Sequence, residues 1–425
     1  MKLLIIGHLP VATQNNMGIT FLSLFSRFQR QELCQLYIYP AYPDVDRCAS
    51  FYRVTDKEVF SSFFHLCAPG KPVAPELIQP TQGLYEVASD ESFYRNRKNK
   101  SAVRRLLRDA MWQLSRWYSP TLKQWLQEQA PDCIFVAPGV AKFLYDIALK
   151  ISKKRNIPII TYICDEYYFV NTPEGALDRL RLKLLQKKIR CLMERSSSLI
   201  VICEELKKAY ASFGQEPTVL MTGAAGTVAD KPCPTEEPKA ISYFGNIRCN
   251  RYLSLAQVGK TLMEINQELG TDYRLKVYTS EKDPDILGVL KAVPAVELCG
   301  FVTGDAFREA FDKAQLLLHV EAFDEPSIDY VRHSVSTKIA DSLASGKPLL
   351  AYGPDVVSSM KHLCRQGCAL IALEPSELKG MLIKAFTDAD ARQKAVQKAL
   401  DTARRFHNSD ENSRKLRAII EQKIR

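Results

Sequence analysis

The 425-residue chain has no apolar run near the roughly 20 residues that cross a bilayer, so no helical membrane span is expected. None of its twelve cysteines forms a Cys-x-x-Cys pair, which removes the dithiol redox motif and paired-cysteine zinc sites. Many sit in apolar contexts, such as Ile163-Cys164 and Leu298-Cys299, where a thiol serves as a small hydrophobe. Cys364 and Cys368, near His362, lack a second ligand cluster, so no metal site is expected. Neither half carries Gly-x-Gly-x-x-Gly after its first strand, which counts against a nicotinamide or flavin dehydrogenase. Met1 to His8 has a short apolar run that breaks at Gly7-His8 without a small-residue cleavage site. It reads as a first buried strand, and the chain is expected to stay in the cytoplasm.

A composition of 46% hydrophobic and 25% charged residues is that of a globular protein, and the length asks for two domains or more. Strands and helices alternate through both halves. Strands are predicted at Leu3–Ile6, Gln35–Tyr39, Asp132–Ala137, Pro158–Ile163, Leu199–Cys203 and Thr218–Met221. The second half restarts with strands at Ala240–Phe244, Leu275–Tyr278, Val296–Leu298, Leu316–Val320, Leu349–Ala351 and Ala369–Ile371. Helices are expected at Gly18–Arg30, 95–129, Val140–Lys154, Leu177–Ser196 and Glu204–Phe213, with a last helical run over 376–424. Residues 40–92 show no usable pattern. Such alternation implies α/β domains with parallel sheets covered on both faces. The boundaries read are 1–222, a Gly- and Pro-bearing linker at 223–239, 240–395, and a C-terminal helix at 396–425.

In parallel sheets ligands bind beyond the carboxyl ends of the strands. One such segment is Val335-Ser-Thr-Lys338-Ile-Ala-Asp341-Ser-Leu-Ala-Ser-Gly346-Lys-Pro348. Ser336 and Thr337 open a short helix whose N-terminus can hold a phosphate, and Lys338 adds a full positive charge there. Asp341, one turn on, can accept hydrogen bonds from sugar or ribose hydroxyls. An ordinary helix between two buried strands, with Lys338 solvated, is the alternative. Arg248 and Arg251, after Gly245, are placed to pair with a diphosphate or to be solvated at a helix start. Gly300 and Val302 end another strand, where backbone groups can read a base edge. His319 and Glu321 end an otherwise apolar strand, a polar cluster where a site is expected.

In the first half, the polar loop from His8 through Asn16 to Gly18 leads into a helix, and Gly18 would allow a ligand close to the backbone. Asp165 and Glu166 end a buried strand. They can take an acceptor's proton or position its hydroxyls, or simply cap a helix.

The net charge of +10 is concentrated in the first half, with Arg95, Arg97, Lys98, Lys100, Arg104, Arg105, Arg108, Arg116 and Lys123 in one stretch. Arg179, Arg181, Lys183, Lys187, Lys188 and Arg190 form a second. Trp112, Trp117 and Trp125 among these charges fit docking on an anionic membrane face. The other reading packs the tryptophans inward and leaves the charges solvated. No nucleic-acid recognition module is visible, so nucleic acid is not an expected partner.

Together and in this order, these segments resemble the two-domain GT-B glycosyltransferases, specifically the retaining group called family 4, of the kind found in bacterial polysaccharide synthesis. Besides Ser336 to Pro348, Gly18-Ile-Thr-Phe-Leu-Ser-Leu-Phe25 and Pro131-Asp-Cys-Ile-Phe135 carry the likeness. The resemblance implies two Rossmann-like domains facing a central cleft, the first binding the acceptor and the second the nucleoside diphosphate sugar. The C-terminal helix would pack back on the first domain. It further implies metal-independent transfer of a hexose, with no cofactor, to a glycan or lipid-linked acceptor. By this likeness Asp341 matches the second acid of the family's Glu-x7-Glu motif and holds the ribose, and Arg251 matches the diphosphate-binding Lys. Two positions depart from the pattern: His333 stands where the first Glu would be, and Asn246 where an Arg commonly follows the glycine. Part of the first Glu's role then falls to Lys338 or Glu321. A nucleotide-sugar 2-epimerase and a non-catalytic partner subunit are the competing readings.

Overall fold

Fully buried strands build the centre of the first sheet. Leu3–Gly7, Cys133–Val136 and Ile159–Ile163 are buried at every position, as strands covered by helices on both faces must be. The computed structural model describes residues 1–13, 15–65, 67–79, 102–169, 173, 175–233 and 237–424. They form two compact units, Met1–Met221 with Ser409–Arg425, and Thr222–Asn408.

The first unit begins with β1 (Leu3–Gly7), α1 (Asn16–Leu24), β2 (Leu33–Tyr37), β3 (Ser50–Arg53), α2 (Asp56–Ser61) and β4 (Lys71–Pro72). It continues through α3 (Ala102–Leu114), α4 (Pro120–Gln129), β5 (Cys133–Val136), α5 (Lys142–Arg155) and β6 (Ile159–Ile163). Next come α6 (Ala176–Arg195), β7 (Ser198–Val201), α7 (Glu204–Tyr210) and β8 (Thr218–Val219). The sheet order is β4-β3-β2-β1-β5-β6-β7-β8, parallel except where β4 pairs with β3.

The second unit contains β9 (Ala240–Phe244), α8 (Arg251–Leu269), β10 (Arg274–Tyr278), α9 (Pro284–Lys291), β11 (Val296–Gly300), α10 (Gly304–Lys313) and β12 (Leu316–Val320). It is completed by α11 (Glu325–Val331), α12 (Thr337–Ala344), β13 (Leu349–Tyr352), α13 (Ser358–Gln366), β14 (Leu370–Ala372), α14 (Leu378–Thr387) and α15 (Ala389–Phe406). Its strands are all parallel, in the order β11-β10-β9-β12-β13-β14. Strand order therefore reverses between β9 and β12, and a doubly wound sheet offers its ligand crevice at that point. The final helix, α16 (Ser409–Ile424), belongs to the first unit: Ser413 Oγ accepts from Arg27 N at 3.0 Å, and Arg417 Nη2 bonds Glu32 Oε2 at 2.5 Å.

Several sequence-based boundaries move. The stretch read as a linker at 223–239 is attached to the second unit where it is described. Ala229 N donates to Ala344 O and Cys233 N to Gly346 O, both at 2.8 Å, so backbone pairing holds a segment without periodicity. The boundary placed at 395/396 falls inside α15, and the division comes between Asn408 and Ser409. The last helical run separates into α14, α15 and α16, broken at Asp388 and at His407-Asn408. α1 stops at Leu24, although Phe25 and Phe28 still enter the core. Of the stretch 40–92, the described residues up to 79 hold β3, α2 and β4, with Thr55 and Glu58 forming a reciprocal cap on α2. Residues 95–101 of the predicted long helix, with Arg95, Arg97, Lys98 and Lys100, lie outside the described residues.

Candidate functional site

At the carboxyl end of β12 the apolar run Leu316-Leu-Leu gives way to His319-Val-Glu321, and the Glu321 side chain is almost fully covered. A bare carboxylate there would be costly, so its partners matter. Oε2 accepts from Arg251 Nε at 2.9 Å and lies 2.8 Å from Arg251 Nη2. Oε1 accepts from Ser359 Oγ at 3.1 Å, and Ser254 Oγ donates to the Glu321 carbonyl at 2.8 Å. Burial raises the carboxyl's pKa, but His319 and Arg251 outweigh it and hold Glu321 below its ordinary value. The same contact works the other way: burial disfavours the Arg251 charge, and Glu321 more than restores it.

Arg251 is the first residue of α8, and the turn before it is unusual. Cys249 and Asn250 both adopt the left-handed conformation, with φ of 53° and 54°. Tyr243 Oη donates to Asn246 O at 2.7 Å, and Asn246 Oδ1 accepts from Arg248 N at 2.8 Å. Gly245, at φ 156°, lies directly over the Tyr243 hydroxyl. This loop follows β9, and Glu321 follows β12, so the pair occupies the switch point of the sheet. A second glycine makes room for it: a Cβ on Gly353 would lie 2.8 Å from Glu321 Cβ.

His319 Nε2 faces the same carboxylate, 3.3 Å from Glu321 Oε1. The switch point thus combines an ionised carboxylate, a paired guanidinium, a serine hydroxyl and an imidazole.

α12 forms as its residues predict. Ser336 caps it, Oγ accepting from Lys338 N at 3.4 Å, and Gly346 follows its end at φ 74°. Ser336, Thr337 and Lys338 are half-buried, and the Lys338 ammonium stands 5.9 Å from the centre of the Phe307 ring. Asp341 Oδ1 accepts from Ala225 N at 2.8 Å, so part of its bonding capacity holds the entering chain segment. Burial raises the Asp341 pKa, opposed by Ala225 N–H and Lys338.

The remaining expected residues separate. Arg248 is exposed and its guanidinium is committed to Glu281, at 2.7 and 3.1 Å, which brings Glu281 down to about 2. Gly300 O accepts from Thr279 N at 3.0 Å on the edge strand β11, and Val302 lies in the following loop. In the first unit, the His8 carbonyl accepts from Ile38 N and Tyr39 N. Asn16 is the exposed first residue of α1. Gly18 leaves room for the chain and not for a ligand: a Cβ there would lie 2.0 Å from Ala12 O. Asp165 Oδ2 accepts from Tyr167 Oη at 3.2 Å. Glu166 Oε1 accepts from Tyr168 N, Phe169 N and Tyr210 Oη, at 2.6, 2.8 and 3.2 Å, and so organises the turn after β6. Burial raises the Glu166 pKa against those bonds.

Sequence reasoning missed Ser254, Glu281, Gly353 and Ser359. Gly353-Pro354 directly after a buried strand was the one local signal among them.

Comparison by sequence matches the chain to no family model and to no curated protein. Comparison of structures matches it along its whole length. The UDP-forming α,α-trehalose-phosphate synthase of Burkholderia xenovorans aligns at 11% identity and TM-score 0.62, over 100% of both chains. HepE of Anabaena, in complex with UDP and glucose, aligns at 10% identity and TM-score 0.61, over 99% of this chain and 100% of that one. A putative UDP-N-acetylglucosamine 2-epimerase from Listeria monocytogenes aligns at 12% identity and TM-score 0.55, over 99% of this chain and 96% of the other. The chain has the GT-B fold that its glycosyltransferase neighbours share.

Proposed function

We propose that the chain is a glycosyltransferase that moves a hexose from a nucleoside diphosphate sugar to the hydroxyl of a glycan or lipid-linked acceptor, with retention and without a metal. The observation that carries this reading is the Arg251–Glu321 pair at the switch point of the second unit. As the glycosidic bond breaks, charge grows on the departing diphosphate, and preorganised cationic donors stabilise it. Arg251, held in place by Glu321, Lys338 and the Ser336-capped end of α12 are the proposed donors. Asp341 is proposed to receive the ribose with the oxygen that Ala225 leaves, and Asp165 and Glu166 are the proposed acceptor-side groups. Neighbours crystallised with UDP and glucose, and named as UDP-forming synthases, support this substrate class.

The test is thermal shift of the full chain against nucleoside diphosphates and their sugars, with and without divalent metal, followed by product analysis. Stabilisation by one nucleoside diphosphate without metal, and its release only when acceptor is added, is the expected result. The epimerase-like neighbour makes the second reading concrete: an enzyme of that kind would convert the nucleotide sugar without an acceptor. Silence across the panel would favour the non-catalytic partner.

A further inference from the structure

Two helices of the first unit expose side chains that amphipathic helices ordinarily bury. On α3, Val103, Leu107, Ala110 and Leu114 recur at intervals of four, three and four residues along the exposed face. Leu107 is 64% exposed and Leu114 75%. On α6, Leu177, Leu180 and Leu184 recur at three and four residues, and Leu177 is 51% exposed. Neither stripe is the core-facing side. α3 turns Asp109 and Trp112 inward, and α6 turns Leu185, Ile189 and Leu192 inward. The two exposed stripes border a groove of about 350 Å³ whose lining joins Val103, Leu107, Leu177 and Leu184 to the polar Asp109, Gln113 and Lys142.

The exposed charges around this face are mostly positive. Arg179 and Lys183 stand one position round α6 from Leu180 and Leu184, and Lys187 continues the leucine stripe one turn on; all three are exposed and without an ion pair among the described residues. Arg104 and Arg105 flank the stripe of α3. Of the acids on these helices, Asp109 is buried, Asp178 bonds Arg181 Nε at 2.7 Å, and Glu194, toward the far end of α6, is exposed. Trp112, Trp117 and Trp125 are all buried, as the inward-packed of the two sequence readings has them, so they play no part.

We propose that α3 and α6 form a docking surface for an anionic bilayer, with the leucines entering the acyl boundary and Arg179, Lys183 and Lys187 meeting the headgroups. Exposed apolar stripes beside cations are what such an interface requires: the leucines gain from leaving water, and long basic side chains reach back to the anions. The apolar face alone would suit a protein partner equally well. The unpaired cations beside the leucines favour the lipid surface. The inference is independent of the donor site, and either can fail alone.

The experiment is flotation of the full chain with vesicles of phosphatidylcholine, alone or mixed with phosphatidylglycerol. Wild type is expected to bind the mixed vesicles about tenfold more tightly than the neutral ones, and less tightly as salt rises. The exposed double variant Leu107→Ser/Leu180→Ser should lose about tenfold in binding while keeping its melting curve. The triple variant Arg179→Glu/Lys183→Glu/Lys187→Glu should lose the preference for anionic vesicles. Equal binding to both vesicles, binding to neither, or binding unchanged by the leucine substitutions would overturn the proposal. So would a dimer in sedimentation that the leucine substitutions dissociate, because the face would then belong to a second copy of the chain.

Discussion

Glu321 Oε2 takes two donors from one guanidinium, Arg251 Nε at 2.9 Å and Nη2 at 2.8 Å, across 70 residues of sequence. The arrangement fixes Arg251 at the start of α8 without exhausting it, since Arg251 has a further terminal nitrogen to offer a ligand.

Removing one member of that pair strands the other. Arg251→Ala should destabilise the second unit by about 3–5 kcal/mol, because it leaves the Glu321 carboxylate buried without its cation. The double variant Arg251→Met/Glu321→Met should recover most of that loss while remaining inactive. Chemical denaturation of the three proteins measures this, and equal stability of Arg251→Ala and wild type would contradict the pairing.

Lys338→Ala separates the phosphate role from a solvated lysine. Lys338 is half-buried and forms no ion pair among the described residues, so stability should change by no more than about 0.5 kcal/mol. Turnover should fall by about 10²–10³, the effect of losing one well-aimed donor. A rate within threefold of wild type would return Lys338 to the helix surface.

Close packing at two glycines should show as stability. Gly353→Ala brings a methyl to 2.8 Å from Glu321 Cβ and should cost about 1–3 kcal/mol. Gly18→Ala, facing Ala12 O at 2.0 Å, should cost more, whereas Gly139→Ala meets no atom within 4 Å and serves as the control. Thermal denaturation should place Gly18→Ala lowest, Gly353→Ala next and Gly139→Ala highest.

A buried histidine pair should make stability depend on pH. His362 Nε2 lies 3.1 Å from His407 Nε2, and His407 Nδ1 donates to Thr222 O at 2.8 Å. Burial pushes His362 down to about 3, helped by His407 and Arg365, and pushes His407 down to about 4. Between the ordinary value of 6.5 and those values the unfolded chain takes up protons that the folded chain refuses. Stability should therefore be full above 6.5 and decline as pH falls, by up to about 1.4 kcal/mol per pH unit for each histidine. Melting temperature against pH should flatten for His362→Gln, and an unchanged slope would rule the pair out as its source.

The doubly wound halves were legible because their signals are local. Ala240–Phe244 and Leu316–Val320 lie where their apolar runs place them, and Ser336, Gly346 and Pro348 bracket α12 as capping chemistry demands. His319 and Glu321 stood out for the same reason, as polar residues ending an apolar strand. Gly18 misled because a glycine states only that a close approach occurs, and the approaching group was Ala12 of its own loop. Arg248 and Arg251 read alike in sequence, yet one is exposed and tied to Glu281 while the other is largely covered and tied to Glu321.

By itself, then, the sequence determined the alternating elements, the parallel sheets they must form and the strand ends where polar groups collect. Those follow from periodicity and capping within a few turns of chain. Only the tertiary structure decided which charges meet. Glu321 finds Arg251, Asp341 finds Ala225 at 116 residues' distance, and His362 finds His407 at 45. It also turned Trp112, Trp117 and Trp125 inward and left Leu107, Leu114 and Leu177 outside. The physical reason is that a hydrogen bond between distant residues leaves no trace in local spacing, and only the packed sheet brings its strand ends together.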